Sequence, residues 1–241
     1  MKQNEAVIFT IEKLGGVATL GQLYIEVLKI NECHWKTKTP FASIRRIVQQ
    51  DNNIYKIKPG LYALVKFKTI LEKAGIVAEG QENVTNIEFN HSYYQGLLLE
   101  IGKMKGMITY IPPQDKNKLF INQPLKSLTS IEKIFDFTYP ILVDRAKTID
   151  VIWFNERKLL SSIFEIEHST DIQNSLLKFH DLQDFSTNFY IVSSDVRKEE
   201  FIKKINYSSF TSIRDRVVFI DYQYISNLHT KMSELCLIKQ L

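Results

Sequence analysis

Two strand-length apolar runs, IDVIWF (149–154) and LLSSIFEIE (159–167), stand on either side of the charged NERK (155–158), and this stretch narrows the fold more sharply than any other. β-branched and aromatic residues at this density predict two buried strands of a sheet, paired through a short turn. Alternation then fixes direction. Phe164 and Ile166 point to one face, while Ile163, Glu165 and Glu167 point to the other. With a four-residue turn, Asp150 is expected opposite Ile163 and diagonal to Glu165, within the roughly 7–8 Å reach of diagonal neighbours. Three carboxylates are expected to converge.

Like charges that close oppose joint ionisation, and a divalent ion removes the conflict. Carboxylate oxygens without a His or Cys partner favour Mg²⁺ or Mn²⁺ over zinc, and such a site suits phosphodiester hydrolysis. Cys33 and Cys236 have no metal-ligand spacing and read as free thiols. Apolar runs are broken by charge well short of a membrane span, and Glu5 and Glu12 stand where a signal peptide would be apolar, so a cytoplasmic protein is expected.

The N-terminal third has a different character. Residues 1–70 hold eleven Lys and Arg against five Asp and Glu, within a chain of net charge +4, and this excess suggests a polyanion partner. A helix is expected over 5–14, ended by Gly15 and Gly16, and a second follows with Thr19 as N-cap. A third begins at Thr39 and Pro40 with Phe41, Ile44, Ile47 and Val48 inward, leaving Ser43, Arg45, Arg46 and Gln49 outward. An alternating strand (Ile54, Lys56, Lys58), a Pro-Gly turn and a returning strand complete the segment. The stretches GGVATLGQLY, KTPFASIRRIVQQD and PGLYAL resemble a winged-helix module over residues 4–66. The resemblance implies a third helix in the major groove of DNA, with Ser43, Arg45, Arg46 and Gln49 as readers. Lys36, Lys38, Lys56 and Lys58 would lie along phosphates, and Thr39 at the start of that helix is also counted among the DNA-binding residues.

Beyond a connector, element types alternate: a helix over 91–106, a strand over 107–111, a long polar stretch and the paired strands. Then come helix (DIQNSLLKFHDLQDF), strand (NFYIVSS), helix (VRKEEFIKKI) and a last strand (VVFIDYQYIS). The sum is a mixed α/β protein, α+β overall, divided into a domain of residues 1–85 and a domain of residues 86–241.

DVIWF, FEIEHSTDI and LLKFHDL, preceded by the helix HSYYQGLLLEIGKMKG, resemble the PD-(D/E)xK nuclease superfamily of the type II restriction endonucleases over residues 90–225. The resemblance implies Asp150 and Glu165 as metal ligands. Its third position departs from the commonest pattern, with Glu167 where lysine is usual, so Glu167 is expected to act as general base or ligand. Glu100 lies on the helix that often contributes an acid, and Lys178 is a candidate phosphate contact. His168 and His180 read as structural histidines, and Tyr93, Tyr94 and Trp153 as core. The expected function is a Mg²⁺- or Mn²⁺-dependent, sequence-specific endonuclease acting on double-stranded DNA. It would be a homodimer where the site is symmetric, paired with a DNA methyltransferase that protects the host. The rival readings are a winged-helix regulator carrying an inactive nuclease-like domain, and a structure-specific repair nuclease.

Overall fold

The computed structural model describes residues 1–35, 37–78 and 84–238. The chain divides into two compact units, residues 1–86 together with the chain end from Ser226, and residues 87–225. The second unit therefore ends at Ile225, whereas the sequence reading carried it to residue 241.

The first unit starts with α1 (Gln3–Lys13), β1 (Val17–Thr19), α2 (Leu20–Val27) and α3 (Pro40–Gln50). It continues with β2 (Ile54–Lys58), β3 (Leu61–Leu64) and the short α4 (Lys68–Lys73). Thr19 caps α2 reciprocally: its hydroxyl accepts from the Gln22 N–H at 3.1 Å, and its own N–H donates to Gln22 Oε1 at 2.9 Å. Ala6, Val7, Ile11, Leu23, Tyr24, Val27, Ile44 and Val48 form the core of the three helices. Strand β1, too short to read from the sequence, joins β3 and makes an antiparallel sheet of order β1-β3-β2.

Two details of the expected basic surface differ. The β2 and β3 ladder shifts register between Lys56 and Lys58, so alternation breaks there and Lys58 is only 5% exposed. Thr39 stands at the N-cap of α3 with Pro40 in the first turn, but its hydroxyl lies 3.3 Å from that of Thr37 and makes no cap bond.

The second unit comprises α5 (Val84–Met104), β4 (Ile108–Tyr110), β5 (Leu119–Phe120), β6 (Gln123–Pro124), α6 (Pro140–Ala146), β7 (Val151–Phe154) and β8 (Leu160–Glu167). There follow α7 (Ile172–Asp181), β9 (Asn188–Ser193), α8 (Lys198–Ile205), β10 (Val217–Asp221) and the first residues of α9 (Tyr222–Ile238), which from Ser226 onward belongs to the first unit. Its mixed sheet has the order β10-β9-β8-β7-β4, with β8, β9 and β10 parallel and β4, β7 and β8 antiparallel. Helices α7 and α8 are the crossovers that parallel neighbours require.

The sheet is covered on both faces. Ile152, Ile163, Phe189 and Ile191 pack with Leu176 and Phe179 of α7 and Phe201 and Ile205 of α8. On the opposite face Trp153 donates to the Leu98 carbonyl of α5 at 3.0 Å. A Cβ at Gly102 would come within 2.7 Å of the Trp153 indole nitrogen, and one at Gly96 within 2.1 Å of the Phe120 ring, so α5 sits closer than any larger residue would allow. Tyr93, Tyr94 and Trp153 are buried.

The turn joining β7 to β8 uses five residues, 155–159. The Asn155 N–H donates to the Leu159 carbonyl at 3.0 Å, the Asn155 side chain accepts the N–H groups of Arg157 and Leu159, and Lys158 adopts a φ of 64°. With the irregularity beside Phe154, this changes the register. Ile152 pairs with Ile163 and Val151 with Phe164, which puts Asp150 across from Glu165 rather than diagonal to it.

Candidate active site

Strand β8 carries Glu165 and Glu167 into the interior, at 2% and 4% exposure, on the face covered by α7. Asp150, just before β7, is anchored by the Ile166 N–H, which donates to its Oδ2 at 2.7 Å. These acids open onto a cleft of about 250 Å³ lined also by His91, His168, Thr170, Asn174, Ser175 and Lys178.

Helix α7 supplies the partners. Asp171 caps it, accepting the Gln173 N–H at 3.0 Å, and so fixes where its first turn begins. Ser175 and Lys178 are one turn apart and share the face toward β8. The Lys178 ammonium donates to Glu165 Oε1 at 2.9 Å and Oε2 at 2.8 Å, and to the Thr148 carbonyl at 2.9 Å. Ser175 donates to Glu165 Oε2 at 2.9 Å and also to Glu167, whose other oxygen accepts from Thr170.

Burial sets the electrostatics. It pushes the Glu165 carboxyl up, and Asp150 adds to the shift; Lys178 and Ser175 only partly oppose it, leaving a pKa of about 8. Burial also raises Asp150, but His91 beside it, with the His91 and Ile166 hydrogen bonds, outweighs that and holds it below the usual carboxylate range. For His91 burial works against the charged form, and Asp150 and Asp115 overcome it, so the imidazole is raised. One carboxyl of the facing pair is thus favoured as the acid and the other as the anion.

The expected site residues therefore separate. Asp150, Glu165, Glu167 and Lys178 come together. Glu100 is half-buried on α5, nine residues beyond His91 and so about 13 Å further along the helix axis; it does not line the cleft. His168, read from the sequence as structural, lines the cleft from the position just past the end of β8 at Glu167. Its ring nitrogens lie 3.4 Å from Asn90 Nδ2 and 3.5 Å from the Tyr222 hydroxyl. His180 is half-buried on α7 and does not line the cleft.

His91 and Asp115 escaped the sequence reading. His91 Nε2 lies 3.4 Å from Asp150 Oδ1 and 4.0 Å from Asp115 Oδ2. The available signal was the spacing His91, Gln95, Leu98, which places two polar residues in the buried stripe of α5.

In the first unit Lys38, Arg45, Arg46, Gln49 and Lys56 are exposed and Ser43 is half-buried, while Lys36 lies outside the described residues. Arg45 donates to the Tyr24 hydroxyl at 2.9 Å and lies 3.9 Å from Glu234.

No described helix is long and apolar enough to cross a membrane. No solved structure matches the chain. The type II restriction enzyme NmeDI of Neisseria meningitidis serogroup C is 25% identical over 167 residues, which is 65% of this chain and 46% of that protein. The chain thus spans under half the length of the curated relative it matches. The family described as the type II restriction enzyme NmeDI C-terminal domain matches residues 74–241, which include every residue of the cleft. That match extends over well more than half of the chain, and the chain belongs to this restriction-enzyme family.

Proposed function

We propose that the chain is a divalent-metal-dependent DNA endonuclease of the type II restriction class, hydrolysing phosphodiester bonds in double-stranded DNA at a specific sequence. The observation that carries the reading is the meeting of Asp150, Glu165 and the Lys178 ammonium at one end of a mixed sheet, in a chain of this family. The donor set fits a hard cation: Asp150 and Glu165 would hold it, with Glu167 beside them. A divalent ion there would lower the pKa of a bound water and offset the charge that develops at phosphorus.

The chain's own residues have separate tasks. Lys178 brings from α7 the positive charge that β8 lacks at position 167, where it can offset a phosphate oxygen or orient water. Glu167, with both oxygens taken by Ser175 and Thr170, is suited to hold the start of α7 against β8. Hydrolysis adds water across a P–O bond, so the attacking water must lose a proton and the leaving oxygen must gain one. Burial raises Glu165 to a pKa of about 8 only while no cation is bound, and a divalent ion held there would keep it ionised as a ligand.

The first unit would read the sequence as a winged helix. Arg46 and Gln49 are the exposed readers on α3, and Lys38 and Lys56 the exposed phosphate contacts. Arg45, tied to Tyr24 and Glu234, would have to release Glu234 before it could reach a base.

The test is cleavage of plasmid DNA by the purified chain with Mg²⁺ or Mn²⁺, repeated with EDTA and with Glu165→Ala. Discrete bands from the unaltered chain alone are expected. Binding without cleavage in every condition would sink the nuclease reading, and a smear would remove sequence specificity.

A further inference from the structure

The acids of the cleft differ in what already occupies their oxygens. Both oxygens of Glu165 and both of Glu167 accept from protein donors. Asp150 is engaged on both oxygens too, but one of its partners is an imidazole that can itself bind a cation. Asp150 Oδ2 takes the Ile166 N–H, while Oδ1 is turned toward α5, 3.4 Å from His91 Nε2. The same imidazole nitrogen lies 4.0 Å from Asp115 Oδ2, and one donor atom from each of the three residues lies within 4.8 Å of the others.

Donors bound at about 2.1 Å to one ion stand about 3.0–4.2 Å apart, depending on the angle between them. The two imidazole distances fall in that interval. The cluster is also held in place. Asp115 is 3% exposed, with Oδ1 fixed by Lys118 at 2.7 Å and Oδ2 by the Gln95 amide nitrogen at 2.8 Å. That amide nitrogen donates to the Asp150 carbonyl too, at 3.0 Å, so Gln95 ties both acids together. The other end of the amide, Gln95 Oε1, is fully buried and has no hydrogen-bond partner. A buried, unpaired carbonyl oxygen is costly, so what holds the amide here is its nitrogen, bonded to Asp115 and to the Asp150 carbonyl.

We infer that His91, Asp115 and Asp150 form a divalent-cation site of mixed nitrogen and oxygen donors, with Gln95 orienting its two acids. The inference deepens the nuclease reading, because Asp150 is shared with that machinery. The imidazole sets the preference. Nitrogen donors favour Mn²⁺, Co²⁺ or Zn²⁺ over Mg²⁺, which an all-carboxylate set would prefer. Lys118 offsets one of the two carboxylate charges, leaving the site suited to a doubly charged ion that still has affinity to spare for a phosphate oxygen.

Pulsed EPR of the full chain loaded with Mn²⁺, without DNA, tests this. The unaltered chain should show coupling of the ion to an imidazole nitrogen. His91→Gln should abolish that coupling and weaken Mn²⁺ binding about tenfold or more, Asp115→Asn should weaken binding similarly, and Glu165→Gln should leave the coupling in place. Absence of nitrogen coupling in the unaltered chain, or its survival in His91→Gln, overturns the inference whether or not the variants fold. Nitrogen coupling in a chain that never cuts DNA would leave this site standing while the nuclease reading fell. Mg²⁺-driven cutting without nitrogen coupling would do the reverse.

Discussion

Two stretches of β8, around Ile163 and around Glu165, are equally buried but are stabilised by opposite means. At Ile163 the strand meets Ile152, Phe189 and the apolar faces of α7 and α8, and burial itself is favourable. Two residues on, along the same face, Glu165 is just as inaccessible, yet burial works against its charge and only Lys178, Ser175 and a raised pKa make it tolerable. One helix serves both stretches: Leu176 and Phe179 of α7 cover the apolar one, and Ser175 and Lys178 serve the acidic one. The contrast teaches that depth of burial alone does not separate core from site. What separates them is whether the partners are carbon atoms or donors.

The sharpest way to break this comparison is to truncate a side chain in each stretch in turn. Glu165→Ala should lower cleavage about 10³-fold, equivalent to about 4 kcal/mol of transition-state stabilisation, with the fold intact by circular dichroism. Ile163→Ala should do the opposite. It should cost about 2–4 kcal/mol of stability in urea unfolding and leave cleavage per folded molecule unaltered. If Ile163→Ala removed activity from folded protein, the division between the stretches would be wrong. Lys178→Met, which keeps the chain length and removes the charge, should reduce cleavage about 10²-fold, and a Lys178→Arg variant should recover part of it.

A smaller effect sharpens the comparison through pH. Glu165 has its folded pKa raised to about 8, so the stability its neutral form contributes is complete below the ordinary carboxylate pKa and is lost as pH rises toward 8. Between pH 6 and 8, urea unfolding in EDTA should show a loss of about 2 kcal/mol that Glu165→Gln flattens. Asp150, held low, acts only at the acid end, where its contribution is lost as pH falls through its depressed pKa. The smallest effect belongs to Thr170→Ala. It removes one hydroxyl from Glu167 and should cost about 1 kcal/mol in the same measurement.

Much of this face was legible in the sequence, and the illegible parts share a cause. Alternation placed Glu165 and Glu167 together because a strand's period is local. The facing of Asp150 and Glu165 was missed because a five-residue turn and a ladder irregularity set the register, and neither leaves a composition signature in NERKLL. Lys178 could be named from its helix, but its pairing with Glu165 depends on how α7 lies on the sheet. Asp115 sits in a polar stretch with no period to give it away. Helix α9 was hidden for another reason. Its buried positions include Ser226, His229, Thr230 and Ser233, and two of their hydroxyls bond back to carbonyls one turn earlier, so no apolar stripe marks the helix.

The two glycines under α5 act as a spacer gauge. Gly102 rests against Trp153 and Gly96 against Phe120, and His91 is one to three turns up the same rigid rod. A methyl group added at Gly102 would lift the helix off the sheet at a point remote from every acid of the cleft, and the lift would be transmitted to the imidazole at the far end. The reach of His91 toward Asp150 is therefore tolerance-limited by a contact that touches no ionisable group. Gly102→Ala is accordingly the substitution by which the aperture of the cleft could be widened without changing a single residue that lines it.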